Sequence, residues 1–286
     1  MQKELTSETR TDRGAPTTTP DAEPAVPPLP SDLAIGCADL PPGLRRVRYF
    51  QRLRYLEAGG TRYQVPRGKV LDRWRAEAGA DARFGLHAPQ EISDRPGPKG
   101  YPRSRRALTK KQLWQAGGFR DTEVIQDAVQ SIADACARLG TDVVIFRSPP
   151  EFVPSAANRD TLKGFFSQVA TAERFGDTAR VWEPLGLWEP ATAMRLVADL
   201  GLVYCCDPLS NDPLAEPHLL DTELPGVPVY FRVTGLGRGR QRFDDYALEP
   251  LIPMVEERRA WVVFSHEHKY PDAIRCHRLL ATLAAG

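Results

Sequence analysis

The stretch PVYFRVTGLGRG, Pro228 to Gly239, sets a short, mostly apolar run, Val229–Val233, against a glycine-punctuated basic turn. The run suits a buried strand, and Arg232 interrupts it. An unpaired charge in a dry interior is very costly. Arg232 is therefore expected at the strand's end, pointing into a polar cavity that other strands share.

From Asp32 onward there are eight such runs: Leu33–Cys37, Leu53–Ala58, Arg83–His87, Val143–Phe146, Arg180–Trp182, Leu202–Cys206, Val229–Val233 and Trp261–Phe264. Helical candidates fall between them at Arg67–Ala78, Ile125–Leu139, Thr161–Ala172, Pro190–Leu200, Tyr246–Glu257 and Asp272–Ala284. The clearest amphipathic stripe is Ile125, Ala128, Val129, Ile132, Ala135 and Cys136, which recur at helical spacing. Strands alternating with helices predict parallel pairing. Eight of them in roughly 250 residues fit an α/β fold of the (β/α)8, TIM-barrel type. The competing open doubly wound sheet lacks its glycine-rich fingerprint after the first strand.

The expected organisation is one barrel domain, residues 31–286, behind a disordered tail, residues 1–30. That tail is rich in Thr, Pro and charge and ends in PAVPPLP. It offers too little apolar surface to offset the entropy of ordering. Residues 94–124 break the strand–helix rhythm as a Pro/Gly-rich, then basic excursion carrying Arg103, Arg105, Arg106, Lys110 and Lys111. A long excursion of this kind is a lid or binding loop, or else flexible. Its basic run can meet phosphates or, more plainly, form a solvated face.

A net charge of +1 gives no whole-molecule field to recruit nucleic acid or an anionic membrane. Nothing approaches the ~18 apolar residues of a membrane span. The five cysteines lack the pattern of a disulfide framework, and the N-terminus lacks a secretory signal. A reducing, cytoplasmic setting is the expectation.

In a barrel the chemistry gathers at the carboxyl ends of the strands. Those ends read Asp39, Glu57, His87, Arg147, Glu183, Asp207, Arg232 and His266, all ionisable. Glu57 and Glu183 are candidate acid/base groups, expected to be moved toward neutrality by neighbouring charge. The plainer alternative pairs them with Arg147 and Arg232. Those arginines suit bidentate capture of a carboxylate or phosphate. His87 is a candidate general base or positioning donor. Gly235, Gly237 and Gly239 would let backbone amides approach a ligand, or serve the turn alone. Trp188 would wall the site or else join Trp182 in the core. His266-Glu267-His268 raises a metal site with Glu57 or Asp207, but no spacing fixes a third ligand, and neither metal nor cofactor is assigned. His218 and His277 read as surface residues.

These same segments resemble the uncharacterised YecE-like family (domain of unknown function 72), from about Leu33 to Leu280. IGCAD at Ile35–Asp39 resembles its opening strand, and LEAGGTRY matches its Glu-x-x-x-Thr-x-Tyr pattern at Glu57, Thr61 and Tyr63. VVIFRSPPEF, VWEPLGLW, Asp207 and YFRVTG are similar to later family segments in the right order. The resemblance implies a TIM-type barrel and a shared site that includes Tyr63, but supplies no reaction. Departures stand at His87 (a lysine in the family pattern), Asp94, Arg147, Pro184, Thr234, and Ser265-His266 where that pattern has paired asparagines.

Three functions follow as expectations. The first is an enzyme acting on a small anionic or polyhydroxylated metabolite, phosphorylated or not, with Glu57, Glu183 and His87 moving protons. Arg147, Asp207, Arg232, Gly235, Trp188, Tyr63 and His266 would bind the substrate. The second is a non-catalytic binder of phosphate or nucleic acid through 94–124 and Arg238–Arg242. The third is a metal-dependent hydrolase.

Overall fold

All eight predicted runs become strands, and in the computed structural model they pair in parallel and close on themselves in sequence order, β1 through β8 back to β1. The structure describes residues 28–104, 106–209, 226–235, 242–256 and 258–284. The expectations for most of the tail, Arg105, His218, Gly237, Gly239 and most of the loop Arg238–Arg242 lie outside the described residues.

The strands are β1 (Leu33–Ala38), β2 (Tyr55–Ala58), β3 (Arg83–His87), β4 (Val143–Ser148), β5 (Ala179–Pro184), β6 (Val203–Cys206), β7 (Val229–Val233) and β8 (Ala260–Phe264). Two boundaries matter for the site. β4 runs past Phe146 and β5 past Trp182, so Arg147 and Glu183 sit inside paired strands, directly opposite one another in register. Residues 28–30, assigned to the tail, lead straight into β1, and Leu29 packs on the core.

Period-two alternation divides the side chains into two cores. Outward residues such as Phe84, Phe146, Trp182, Phe231 and Phe264 pack beneath the helices. Inward residues, among them Tyr55, Val143, Ile145, Val181, Tyr230 and Trp261, fill the barrel. The interior is a packed core, as in other barrels of this size. Gly85 is required there: a Cβ on it would stand 2.0 Å from the Tyr55 hydroxyl.

The helices are α1 (Arg46–Phe50), α2 (Gly68–Ala78), α3 (Gln90–Ser93), α4 (Lys110–Gln115), α5 (Glu123–Leu139), α6 (Ala156–Gly164), α7 (Ala172–Phe175), α8 (Pro190–Asp199), α9 (Asp245–Leu248), α10 (Leu251–Val255) and α11 (Lys269–Ala284). In α5 the predicted stripe is buried, Thr122 caps the start, and Gly140 closes the end at φ +63°. Two expectations change. The single helix over Thr161–Ala172 is instead α6, capped early by Ser155, a π-helical turn Phe165–Val169 that buries both Phe165 and Phe166, and α7. Tyr246–Glu257 splits into α9 and α10 at Pro250, which has no N–H to continue a helix.

The excursion is more ordered than a loose loop. Its return runs along α3, where the amides of Gly117, Gly118 and Phe119 donate to the carbonyls of Glu91, Ser93 and Ile92 at 2.7, 2.9 and 2.9 Å. Among the described residues no helix is long and apolar enough to cross a membrane.

Candidate functional site

Alternation along β7 decides what Arg232 does. Val229, Phe231 and Val233 face the helices, so Tyr230 and Arg232 face the barrel axis. The same parity turns Tyr55 and Glu57 of β2 inward, with His87 of β3, Arg147 of β4 and Glu183 of β5. Glu57, His87, Arg147, Glu183 and Arg232 meet at the carboxyl end of the barrel interior.

Glu57 is the hub. Arg232 donates to it through both ends of its fork, Nη1 to Oε1 and Nη2 to Oε2, each at 2.8 Å. His87 Nε2 lies 2.9 Å from Oε1, and the Tyr230 hydroxyl donates to Oε2. Tyr230 in turn lies 3.2 Å from the Tyr55 hydroxyl. Glu183 is held by Arg147, Nε to Oε2 and Nη2 to Oε1, both 2.8 Å, and its Oε1 lies 2.9 Å from Arg232 Nε. Arg232 thus bridges the two carboxylates. The expected open cavity is filled by a packed network of paired charges.

The electrostatics reverse one expectation. Burial alone would raise the Glu57 carboxyl, but the Arg232 guanidinium and His87 outweigh it and hold it well below the ordinary carboxylate range. Glu183 goes the same way: burial opposes, and Arg232 and Arg147 win. Neither is moved toward neutrality. Both are ionised, acceptor-only groups. It follows that the shared hydrogen between Glu57 and His87 belongs to the histidine Nε2. In the neutral ring Nδ1 then carries the lone pair, and it is buried without a hydrogen-bond partner. This is the orientation that a carboxylate imposes on a histidine base.

The two arginines divide. Arg232, its side chain 8% exposed, has its fork committed to the carboxylates, so it cannot also clamp a substrate anion. Arg147 is also paired, yet 31% of its side chain remains exposed at the mouth.

Other expected site residues lie elsewhere. Parity fails at His266: it is one residue past the inward Ser265 position, and its ring packs on Phe243 and Phe264 with Nε2 3.5 Å from Asp272. It belongs to the layer under α11. Trp188 packs edge-on against Trp182, stacks on Phe152 and donates to the Phe152 carbonyl at 2.7 Å; it is core. Tyr63 is covered by Arg103, whose guanidinium lies 3.7 Å from the ring centre. Asp207 accepts from the Leu209 and Thr234 amides at 3.0 and 2.9 Å and from the Thr234 hydroxyl, tying the ends of β6 and β7 together. Gly235 follows at φ +106°, where a Cβ would come within 3.1 Å of His266 Cβ; its role is this close approach. Asp39, at φ +59°, points toward Gly59. His277 is buried, not superficial. The residues missed were Tyr55 and Tyr230. Each stands two positions before an inward charge, which was the signal available.

Asp207 and His266 are thus separated from Glu57 by their own partners. Among the described residues no group of three or more His, Cys, Asp or Glu is placed to hold a metal ion. A cavity of about 870 Å³ lies between the excursion and the loop after β4, and none of the network's side chains lines it.

Comparison with known proteins places the fold and the sequence in a family. A DUF72 family protein from Enterococcus faecalis V583 shares the fold at a TM-score of 0.60 with 13% identity, covering 89% of this chain and 96% of that one. One from Thermotoga maritima MSB8 follows at 0.55 and 12%, covering 89% and 99%. A D-tagatose 3-epimerase-like protein has the same fold at 0.52 and 13%, covering 88% and 97%. No curated protein matches. The sequence profile described as "Protein of unknown function DUF72" matches residues 38–285, nearly the whole barrel, and the chain therefore belongs to the DUF72 family.

Proposed function

We propose that this TIM-barrel protein is an enzyme that moves a proton on a small anionic or polyhydroxylated metabolite at the barrel mouth. The observation that carries this reading is the Glu57–His87 pair, a buried imidazole with one nitrogen fixed by a carboxylate and the other unpartnered. His87 is the base: Nδ1 takes the substrate proton and the imidazolium returns it. Glu57 orients the ring and stabilises the charge that forms on it, and Glu183 holds Arg147 in place. Arg147, the partly exposed cation, meets the substrate's anionic group. Glu57 and Glu183 thereby pass the proton-moving role to the histidine, because a carboxylate gripped by arginines is too weak a base to compete.

The test is deuterium wash-in. The protein is incubated in heavy water with a panel of aldose and ketose phosphates and sugar acids, and followed by NMR. Solvent deuterium should enter one carbon position of an accepted substrate with the natural protein, and not with His87→Gln. Arg147→Ala should raise KM more than it lowers kcat. A panel with no exchange, or exchange unchanged in His87→Gln, overturns the reading.

The non-catalytic alternative has less support, since Arg103 lies on Tyr63 and Arg106 pairs with Asp127 at 3.4 Å. The basic run is therefore split.

A further inference from the structure

The cavity of about 870 Å³ shares none of its lining residues with the strand-end network. One wall is α4 with the turns on either side of it; the other is the loop after β4 and the start of α6. A volume in this range is that of a small-molecule site.

The α4 wall is built to hold its shape. Thr109 and Gln112 form a reciprocal capping box at its start. At its end Arg120 donates to the carbonyls of Gly117, Trp114 and Ala116 at 3.0, 2.9 and 2.5 Å. The Thr122 hydroxyl donates to Gln115 O at 2.8 Å. What this short, twice-fastened helix presents is Trp114, 84% exposed. A large aromatic is seldom left so open, and an indole face in the wall of a cavity is a stacking platform.

Lys110 stands four residues before Trp114, on the same helix face, and both line the cavity. Arg95 lines it as well. Neither Lys110 nor Arg95 takes part in any ion pair among the described residues, whereas Arg106 pairs with Asp127 and Arg103 is held on the Tyr63 ring. Phe152, Asn158 and Thr161 supply an apolar and hydrogen-bonding opposite wall.

We propose that this cavity binds a mononucleotide-type ligand, a flat heteroaromatic ring stacked on Trp114 with its phosphate on Lys110 and Arg95. A free nucleotide suits the site better than a nucleic-acid strand. The cationic groups that would continue a phosphate track, Arg103 and Arg106, are turned to Tyr63 and Asp127. A net charge of +1 also supplies no long-range field for a polyanion.

The experiment is calorimetric titration of the full chain with ADP, adenosine, ribose 5-phosphate, inorganic phosphate and a short oligodeoxythymidine. ADP should bind with one site per chain and more tightly than adenosine, ribose 5-phosphate or phosphate. Lys110→Ala and Arg95→Ala should each weaken ADP about tenfold, the loss of one charge-assisted bond. Trp114→Ala should weaken it by about tenfold or more, with Trp114→Phe restoring most of the loss. These side chains are exposed, so melting temperatures should match the natural protein. His87→Gln should bind ADP normally, which separates this site from the mouth. ADP affinity unchanged in Trp114→Ala and Lys110→Ala overturns the proposal. So does phosphate alone binding as well as ADP, the oligonucleotide binding where ADP does not, or no ADP binding at millimolar concentration.

Discussion

Arg232 grips both oxygens of Glu57 at 2.8 Å inside the barrel, with the two side chains 8% and 2% exposed. Taking two ions out of water costs several kcal/mol each, and only good mutual geometry repays it. Removing one partner leaves the other charged and buried. Glu57→Gln or Arg232→Met alone should therefore cost about 3–5 kcal/mol in urea unfolding. The double variant Glu57→Gln/Arg232→Met should cost clearly less than the sum of the singles. Additive losses would show that the pair does not interact.

The same network sets the acid limit of the fold. Glu57 and Glu183 are held below the ordinary value of 4.5, chiefly because Arg232 overcomes the effect of burial. A carboxylate lowered in this way contributes stability that is complete above the unfolded value. That stability is lost as pH falls from there through the folded one. Unfolding free energy should be nearly flat from these groups above about pH 5 and drop steeply below about pH 4.5. Glu183→Gln, measured across the same range, should have a shallower acid limb. An identical limb would mean that Glu183 carries no linkage.

The barrel was readable because its signals are local: apolar runs of strand length, an amphipathic stripe at 125–136, and turn residues between. The site was readable only in part. Glu57, Glu183, Arg147, Arg232 and His87 were found as ionisable residues at strand ends. That criterion takes no account of parity, so it also admitted His266 and Asp39, which lie one residue off the inward register. It passed over Tyr55 and Tyr230, which share that register deeper in the barrel. The sense of the carboxylate shifts was not legible either. It depends on whether Arg232 reaches Glu57 or a ligand, and that is a distance between β2 and β7, far apart in the chain.

His266 offers a separate titration. Burial beneath α11 pushes its imidazole below the usual 6.5, and the neighbouring His268 and Lys269 add to this while Asp272 and Asp207 oppose it. The folded protein thus keeps a neutral ring that the unfolded chain would protonate. The stability it contributes is full above about pH 6.5 and declines as pH falls below that value. His266→Gln should flatten the stability profile between about pH 6.5 and pH 5, above the range where the carboxylates act. A natural profile already flat there would rule the linkage out.

Gly85 connects packing to chemistry. A methyl group at this position would meet the Tyr55 hydroxyl at 2.0 Å and Val143 Cγ2 at 2.9 Å, so Gly85→Ala must displace the Tyr55 ring. Overpacking of this kind costs about 1–3 kcal/mol. The displaced hydroxyl is the one beside Tyr230, and Tyr230 donates to Glu57, which orients His87. Gly85→Ala should therefore disturb the imidazole from below, without altering any residue of the charged network. The histidine side-chain ¹⁵N resonances report this directly, as a shift of the His87 signals. Tyr55→Phe removes the atom in closest conflict, so Gly85→Ala/Tyr55→Phe should be more stable than Gly85→Ala alone. If the second substitution gives no recovery, the clash is not where the barrel layers place it.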